Sequence, residues 1–183
     1  MRRVLVIAGA GMAGLGIAWA ALRARVPAGE SLSNAIEDTV SSITPGPWEP
    51  PARAAPYLPA VSAAESRYDI PPMMLARLLF QESRYREDII TGRTPSATGA
   101  LGIAQFMPAT AAELGIDPLD TDQAIDAAGR YLRRLRDSLA GDWKLALAAY
   151  NWGIGNVKRK GLAVAPQETR DYVAQITGDI GYA

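Results

Sequence analysis

Residues 71–83 read PPMMLARLLFQES, and the fold is decided by how this stretch is read. Leu75, Leu78, Leu79 and Glu82 recur at i, i+3, i+4 and i+7, the spacing of one helical face. The prolines ahead of them suit a first helical turn, where a missing N–H costs nothing. A glutamate closing a stripe of leucines is out of place. Desolvation penalises its ionised form, so its proton is expected to persist toward neutral pH. Two units above the ordinary value correspond to about 2.7 kcal/mol. Such a group suits general acid catalysis. The other reading is a helix-end glutamate that bends into water or pairs with Arg84 or Arg86. The helix taken alone leaves both open.

Helical periodicity continues outward. Over residues 120–139, Ile125, Ala128, Leu132, Leu135 and Leu139 form a stripe, with Arg130, Arg133, Arg134 and Arg136 mostly off it. Asp120 and Gln123 have the spacing of a capping pair. DWKLALAAYN, residues 142–151, repeats the pattern with Trp143, Leu147 and Tyr150, and Gly153 and Gly155 are expected to end it. A last amphipathic turn or two is expected from Glu168 through Tyr172, Val173 and Ile176. Strand-like alternation is missing. The expectation is one all-α domain over residues 60–183.

Composition narrows the chemistry. The chain has 183 residues, no cysteine and no histidine, and its 19 basic and 19 acidic residues cancel. Disulfides, thiol nucleophiles, Ser-His-Asp triads and most zinc sites drop out. No basic surface argues for nucleic acid. No metal or cofactor is expected, and any enzyme here works with carboxylates, hydroxyls, amides and arginines.

The N-terminal stretch MRRVLVIAGAGMAGLGIAWAALRARV poses a separate choice. Gly9, Gly11 and Gly14 spell G-x-G-x-x-G, but a dinucleotide site needs a second strand ending in an acid about 20 residues on. The following VPAGESLSNAIEDTV offers none. The run from Val4 to Leu22 carries no charge and would span about 28 Å as a helix, near the thickness of a hydrocarbon core. Residues 1–26 are therefore expected to be a hydrophobic helix acting as membrane anchor through residues 4–22. A cleaved signal peptide stays open, with Ala18-Trp19-Ala20 as an A-x-A site. Residues 27–59 hold seven prolines, which lock φ and remove donors, so a stiff tether is expected there.

Four blocks stand in order along the domain: ES at Glu82-Ser83, GALGIAQFMP from Gly99 to Pro108, AYNWG ending at Gly153, and ETRDYV from Glu168 to Val173. Together they resemble the soluble lytic transglycosylase (SLT) family of peptidoglycan-cleaving enzymes, which share a lysozyme-like α fold. The resemblance covers roughly residues 60–176. It implies cleavage of the β-1,4 bond between N-acetylmuramic acid and N-acetylglucosamine, with Glu82 as the sole catalytic carboxylate, acid and then base. The acetamido group of the substrate stabilises the cationic centre and its own C6 hydroxyl attacks, giving a 1,6-anhydro end. No second carboxylate is then required, unlike the usual glycosidase pair. Glu87 and Asp88 are expected to be solvated in a polar loop.

The same resemblance implies a binding set. Ser83 belongs to the first block, and Ser96 and Gln105 lie where the family lines its cleft. Met107 would pack against a sugar face or belong to the core. Tyr150 and Asn151 would close the site opposite Glu82, and Glu168 and Tyr172 would reach the same cleft. Two departures stand out: the segment 84–95 is longer than is common, and Trp152 replaces a frequently small residue. The partner implied is peptidoglycan glycan, at the periplasmic face of the envelope. Wall turnover, a secretion or conjugation apparatus and a phage particle all use such domains. The rival readings are a related glycan hydrolase and a wall-binding assembly protein that has lost turnover.

Overall fold

The computed structural model describes residues 48–94 and 96–182. The expected hydrophobic helix at 4–22 and most of the proline-rich stretch lie outside the described residues. Among the described residues no helix is long and apolar enough to cross a membrane.

Among the described residues eight α-helices follow a short 3₁₀ turn at Ala52–Ala54: α1 (Leu58–Arg67), α2 (Met74–Ser83), α3 (Glu87–Ile90), α4 (Pro108–Leu114), α5 (Thr121–Asp137), α6 (Trp143–Trp152), α7 (Ile154–Lys160) and α8 (Gln167–Asp179). Among the described residues the only pairing of strand type is one antiparallel bridge, Leu101 with Phe106. The all-α expectation holds. α6 is central, packing on α5, α7 and α8, while α1 lies on α2 and α5, and α2 lies on α8.

The stripes predicted from spacing form the core. Leu75, Leu78 and Leu79 of α2 and Ile125, Ala128, Leu132, Leu135 and Leu139 of α5 and its exit are all buried. Asp120 caps α5 by accepting from the Gln123 backbone N–H at 3.1 Å, and the Gln123 amide returns a bond at 2.7 Å. α1 and α5 approach closely because position 129 is glycine: a Cβ there would sit 2.8 Å from the Tyr68 ring.

Three expectations need correction. Pro71 and Pro72 precede α2 rather than occupying its first turn; the cap position is Met73, at φ 69°. Gly153 ends α6, but Gly155 lies inside α7. The last helix runs thirteen residues, not a turn or two.

Residues 48–59, expected to be the end of a tether, are packed on the domain. Trp48, 8 % exposed, packs its ring against Phe80 at 5.6 Å and the Arg77 guanidinium at 5.5 Å, which are themselves 5.2 Å apart. Its backbone N–H donates to Asp179 O at 3.0 Å. Ala54 is fully buried, and Tyr57 stacks on Tyr85 at 5.8 Å. Prolines at 50, 51, 56 and 59 restrict this strap as they would a tether, but its aromatic residues give it a face to bury.

Candidate active site

Glu82 stands on the last turn of α2, and that helix is fixed at both ends. At its N-terminus no local side chain caps the free N–H groups. Glu65 of α1 takes them instead. Its carboxylate accepts from Met73 N at 3.0 Å, Leu75 N at 2.9 Å and Ala76 N at 3.1 Å. Burial pushes the Glu65 carboxyl up, and the three backbone donors pull it back.

At its C-terminus the helix stops abruptly. Arg84 and Tyr85 both take left-handed φ, 54° and 53°, each at a cost of about 1 kcal/mol for a residue with a Cβ. Neighbouring contacts hold them there. The Tyr85 ring is buried, its hydroxyl donates to Ala76 O at 2.8 Å, and the Arg84 guanidinium covers Phe80 at 4.7 Å. Ser83, expected to bind substrate, is 0 % exposed. Its hydroxyl donates to Leu79 O at 3.1 Å and accepts from Tyr85 N at 3.2 Å. It therefore fastens the turn that presents Glu82 and has no surface for a sugar.

Around Glu82 the structure brings one of the expected residues into hydrogen-bond contact and a second into electrostatic range. Tyr172 of α8 donates from its hydroxyl to Glu82 Oε1 at 2.6 Å. Oε2 has no hydrogen bond among the described residues. The Glu82 side chain keeps some exposed surface but is densely surrounded by protein. Burial raises its carboxyl to about 7, and the Tyr172 hydroxyl opposes that rise. Tyr150 of α6 is near enough for the Glu82 charge to act on its phenol, which burial chiefly pushes up; its hydroxyl donates to Ala104 O at 3.0 Å. That bond ties α6 to the 99–106 loop.

Asn151, exposed, joins the site through a residue that sequence reasoning missed. Thr169 donates to Asn151 Oδ1 at 2.7 Å. Thr169 and Tyr172 are i and i+3 on α8, so the bond sets Asn151 against the helical face that carries Tyr172. Helical spacing within ETRDYV was the available signal. Glu65 had none, because nothing local ties it to a helix starting nine residues later.

The remaining expectations divide. Gln105, at φ 48°, donates its side-chain amide to Gly102 O at 2.8 Å and shapes its own loop, leaving its amide oxygen unengaged. The loop is tight at Gly102, where φ is 73° and a Cβ would meet Pro118 O at 1.8 Å. Met107 is 45 % exposed and so is not a core residue. Ser96 shares a hydroxyl contact with Thr98 at 2.9 Å, and among the described residues it has no hydrogen bond to Glu82, Tyr150 or Tyr172. Glu168 is exposed in the first turn of α8, without a hydrogen bond or ion pair among the described residues.

Glu87 and Asp88 are engaged elsewhere. They open α3 rather than a plain loop. Arg86 and Thr94 hold Asp88, lowering its carboxyl to about 2, with the Arg86 hydrogen bond the largest cause. Glu87 pairs with Arg93 at 2.9 Å. The site thus presents one partly buried acid, two phenols and an amide.

Comparison with known proteins matches the family model described as "Transglycosylase SLT domain" to residues 59–173. The "Transglycosylase" of Enterobacteria phage PRD1 is 36 % identical over 94 residues, 51 % of this chain and 33 % of that protein. "Membrane-bound lytic murein transglycosylase D" of Escherichia coli (strain K12) is 29 % identical over 144 residues, 68 % of this chain and 30 % of the relative. "Membrane-bound lytic murein transglycosylase F" of Cellvibrio japonicus is 34 % identical over 109 residues, 54 % and 20 % of the two chains. The matches thus span a third or less of the length of these relatives.

Proposed function

This chain belongs to the transglycosylase SLT domain family, and on that premise we propose that it is a peptidoglycan lytic transglycosylase with Glu82 as its only acid and base. The observation that carries the reading is a carboxyl whose affinity for its proton is raised to about 7, with one oxygen held by Tyr172 and the other open.

The proton on Oε2 of Glu82 passes to the glycosidic oxygen between N-acetylmuramic acid and N-acetylglucosamine. The C1–O bond breaks, and the acetamido oxygen of the muramic residue bonds to C1 and takes up the positive charge. Oε2, now anionic, accepts the proton of the C6 hydroxyl. The C6 oxygen attacks C1, the acetamido oxygen leaves, and a 1,6-anhydro ring closes. Glu82 ends protonated, and no water enters the balance.

A pKa near neutrality serves both halves of this cycle, since the group must give and then regain a proton. Tyr172 stabilises the carboxylate that exists between them. Asn151, Gln105 and Met107 supply an amide donor, an amide acceptor and an apolar contact for N-acetyl sugars, with Glu168 and Ser96 further out. The committed ion pairs of Glu87 and Asp88 argue against either acting as nucleophile. The names of the two bacterial relatives favour murein as substrate. The periplasmic face of the envelope is the proposed place of action, with residues 4–22 as the proposed anchor.

Mass spectrometry of fragments released from purified peptidoglycan tests the proposal. Products ending in anhydro-muramic acid support it. New reducing ends, with activity lost on changing Glu87 or Asp88 to the amide, would instead indicate a two-carboxylate hydrolase.

A further inference from the structure

We infer that Lys158, Arg159 and Lys160 form a cationic rim to the site that engages the acidic peptides carried by murein glycan, so that this chain prefers strands whose peptides are still attached. The inference rests on the proposed murein reading and deepens it.

The three side chains close α7 and all are exposed. Several basic side chains of the domain meet carboxylates, Arg67 with Asp126, Arg77 with Asp179 and Arg133 with Asp69, while Arg130 and Arg170 reach carbonyl and amide oxygens. On α7, Lys158 and Lys160 form no ion pair among the described residues, and Arg159 reaches only the neutral Asn156 amide oxygen at 3.1 Å. Three adjacent cations are thus left facing solvent in a chain whose net formal charge is zero.

The position of Lys160 joins this helix end to the site. The Lys160 ammonium lies 5.5 Å from the centre of the Trp152 ring, and Trp152 directly follows Asn151. Asn156 of α7 donates to Trp152 O at 2.8 Å, bracing α7 against the end of α6. Asn151 is itself held to the face of α8 that carries Tyr172. A sugar held at Asn151 would therefore place groups branching from it close to the Lys160 charge. In murein those branches are short peptides on the lactyl group of N-acetylmuramic acid, and they carry free carboxylates. The departure at Trp152 acquires a use here: its ring holds one cation in place at the rim. Cations in the last turn of a helix also complement its carbonyl ends, but that local effect would not depend on the substrate.

The test uses the full chain and two soluble substrates, glycan strands that retain their peptides and the same strands stripped by an amidase. For wild type, KM on peptide-bearing strands should rise steeply between 50 and 300 mM salt, while KM on stripped strands stays nearly flat. Replacing Lys158, Arg159 and Lys160 together by Gln should raise KM on peptide-bearing strands about eightfold, the product of three exposed pairs worth roughly twofold each, with kcat within twofold. KM on stripped strands should not move. Equal salt dependence on both substrates, measured on wild type alone, would overturn the inference even if the variant folds poorly. So would an equal change on both substrates, or binding to phosphatidylglycerol vesicles that the substitution abolishes while glycan kinetics stay unchanged. Anhydro products without peptide dependence would remove this inference and leave the proposed reaction standing; an absence of anhydro products from wild type would remove the reaction itself.

Discussion

The Tyr172 hydroxyl lies 2.6 Å from Oε1 of Glu82, joining residues 90 positions apart in the chain. Burial raises the carboxyl and this hydrogen bond lowers it, so the two set the proton affinity against each other. The balance can be tested by removing one side. Tyr172→Phe should move the high-pH limb of activity upward, because the carboxylate loses a donor that favours it. Turnover at neutral pH should fall about tenfold as the acid holds its proton more tightly and is less well oriented. A pH–rate profile that does not shift would show that Tyr172 has no hold on the acid.

Glu82→Gln removes the proton donor while keeping the side-chain shape. Cleavage should drop by about 10² to 10⁴, the usual share of general acid–base catalysis. Retained binding to glycan, followed by co-sedimentation with purified wall, would separate lost chemistry from lost folding.

The same substitution has a thermodynamic signature. A carboxyl raised in the folded state, from 4.5 to about 7, keeps its proton when the unfolded chain has released it. Its contribution is therefore fully present below about pH 4.5 and is lost as pH rises through about 7. Glu82→Gln, which never ionises, should gain stability relative to wild type across that window, by at most about 3 kcal/mol, and stay level above it. Denaturant melts at pH 4, 6 and 8 measure the difference. A constant offset at all three would rule out the buried acid as its cause.

Glu65 offers a contrasting case, since its carboxylate satisfies three backbone donors at the start of α2. Glu65→Ala should cost about 3 kcal/mol or more, because two of those bonds are buried and lose their only acceptor. Glu65→Gln should cost less, keeping one oxygen, but its NH₂ would face the donors. Thermal unfolding of both variants checks the order.

A chain beginning at residue 60 would lose Trp48, Ala54 and the Tyr57 ring. A chain beginning at residue 46 would keep them. Trp48 alone, buried against Phe80 and Arg77, is worth about 3 kcal/mol on truncation to alanine. The shorter chain should melt at least 10 °C lower, by the usual scaling for a domain of this size. Equal melting temperatures would return residues 48–59 to the role of a tether.

What the sequence by itself determined is what repeats locally. Leucines at helical spacing in α2 and α5, the Asp120–Gln123 cap and the anomaly of Glu82 are each settled within one or two helical turns, where periodicity and capping act. The tertiary structure decided which of two neighbours meets the substrate. Glu82 and Ser83 sit side by side in the sequence, yet Ser83 is buried and fastens the turn at which left-handed backbone at Arg84 and Tyr85 ends the helix. The same holds for the strap at Trp48, for Thr169 holding Asn151, and for Glu65 capping a helix not its own. Their roles depend on groups brought together from distant segments and on φ values paid for by burial elsewhere, and neither quantity is carried by the spacing of residues along the chain.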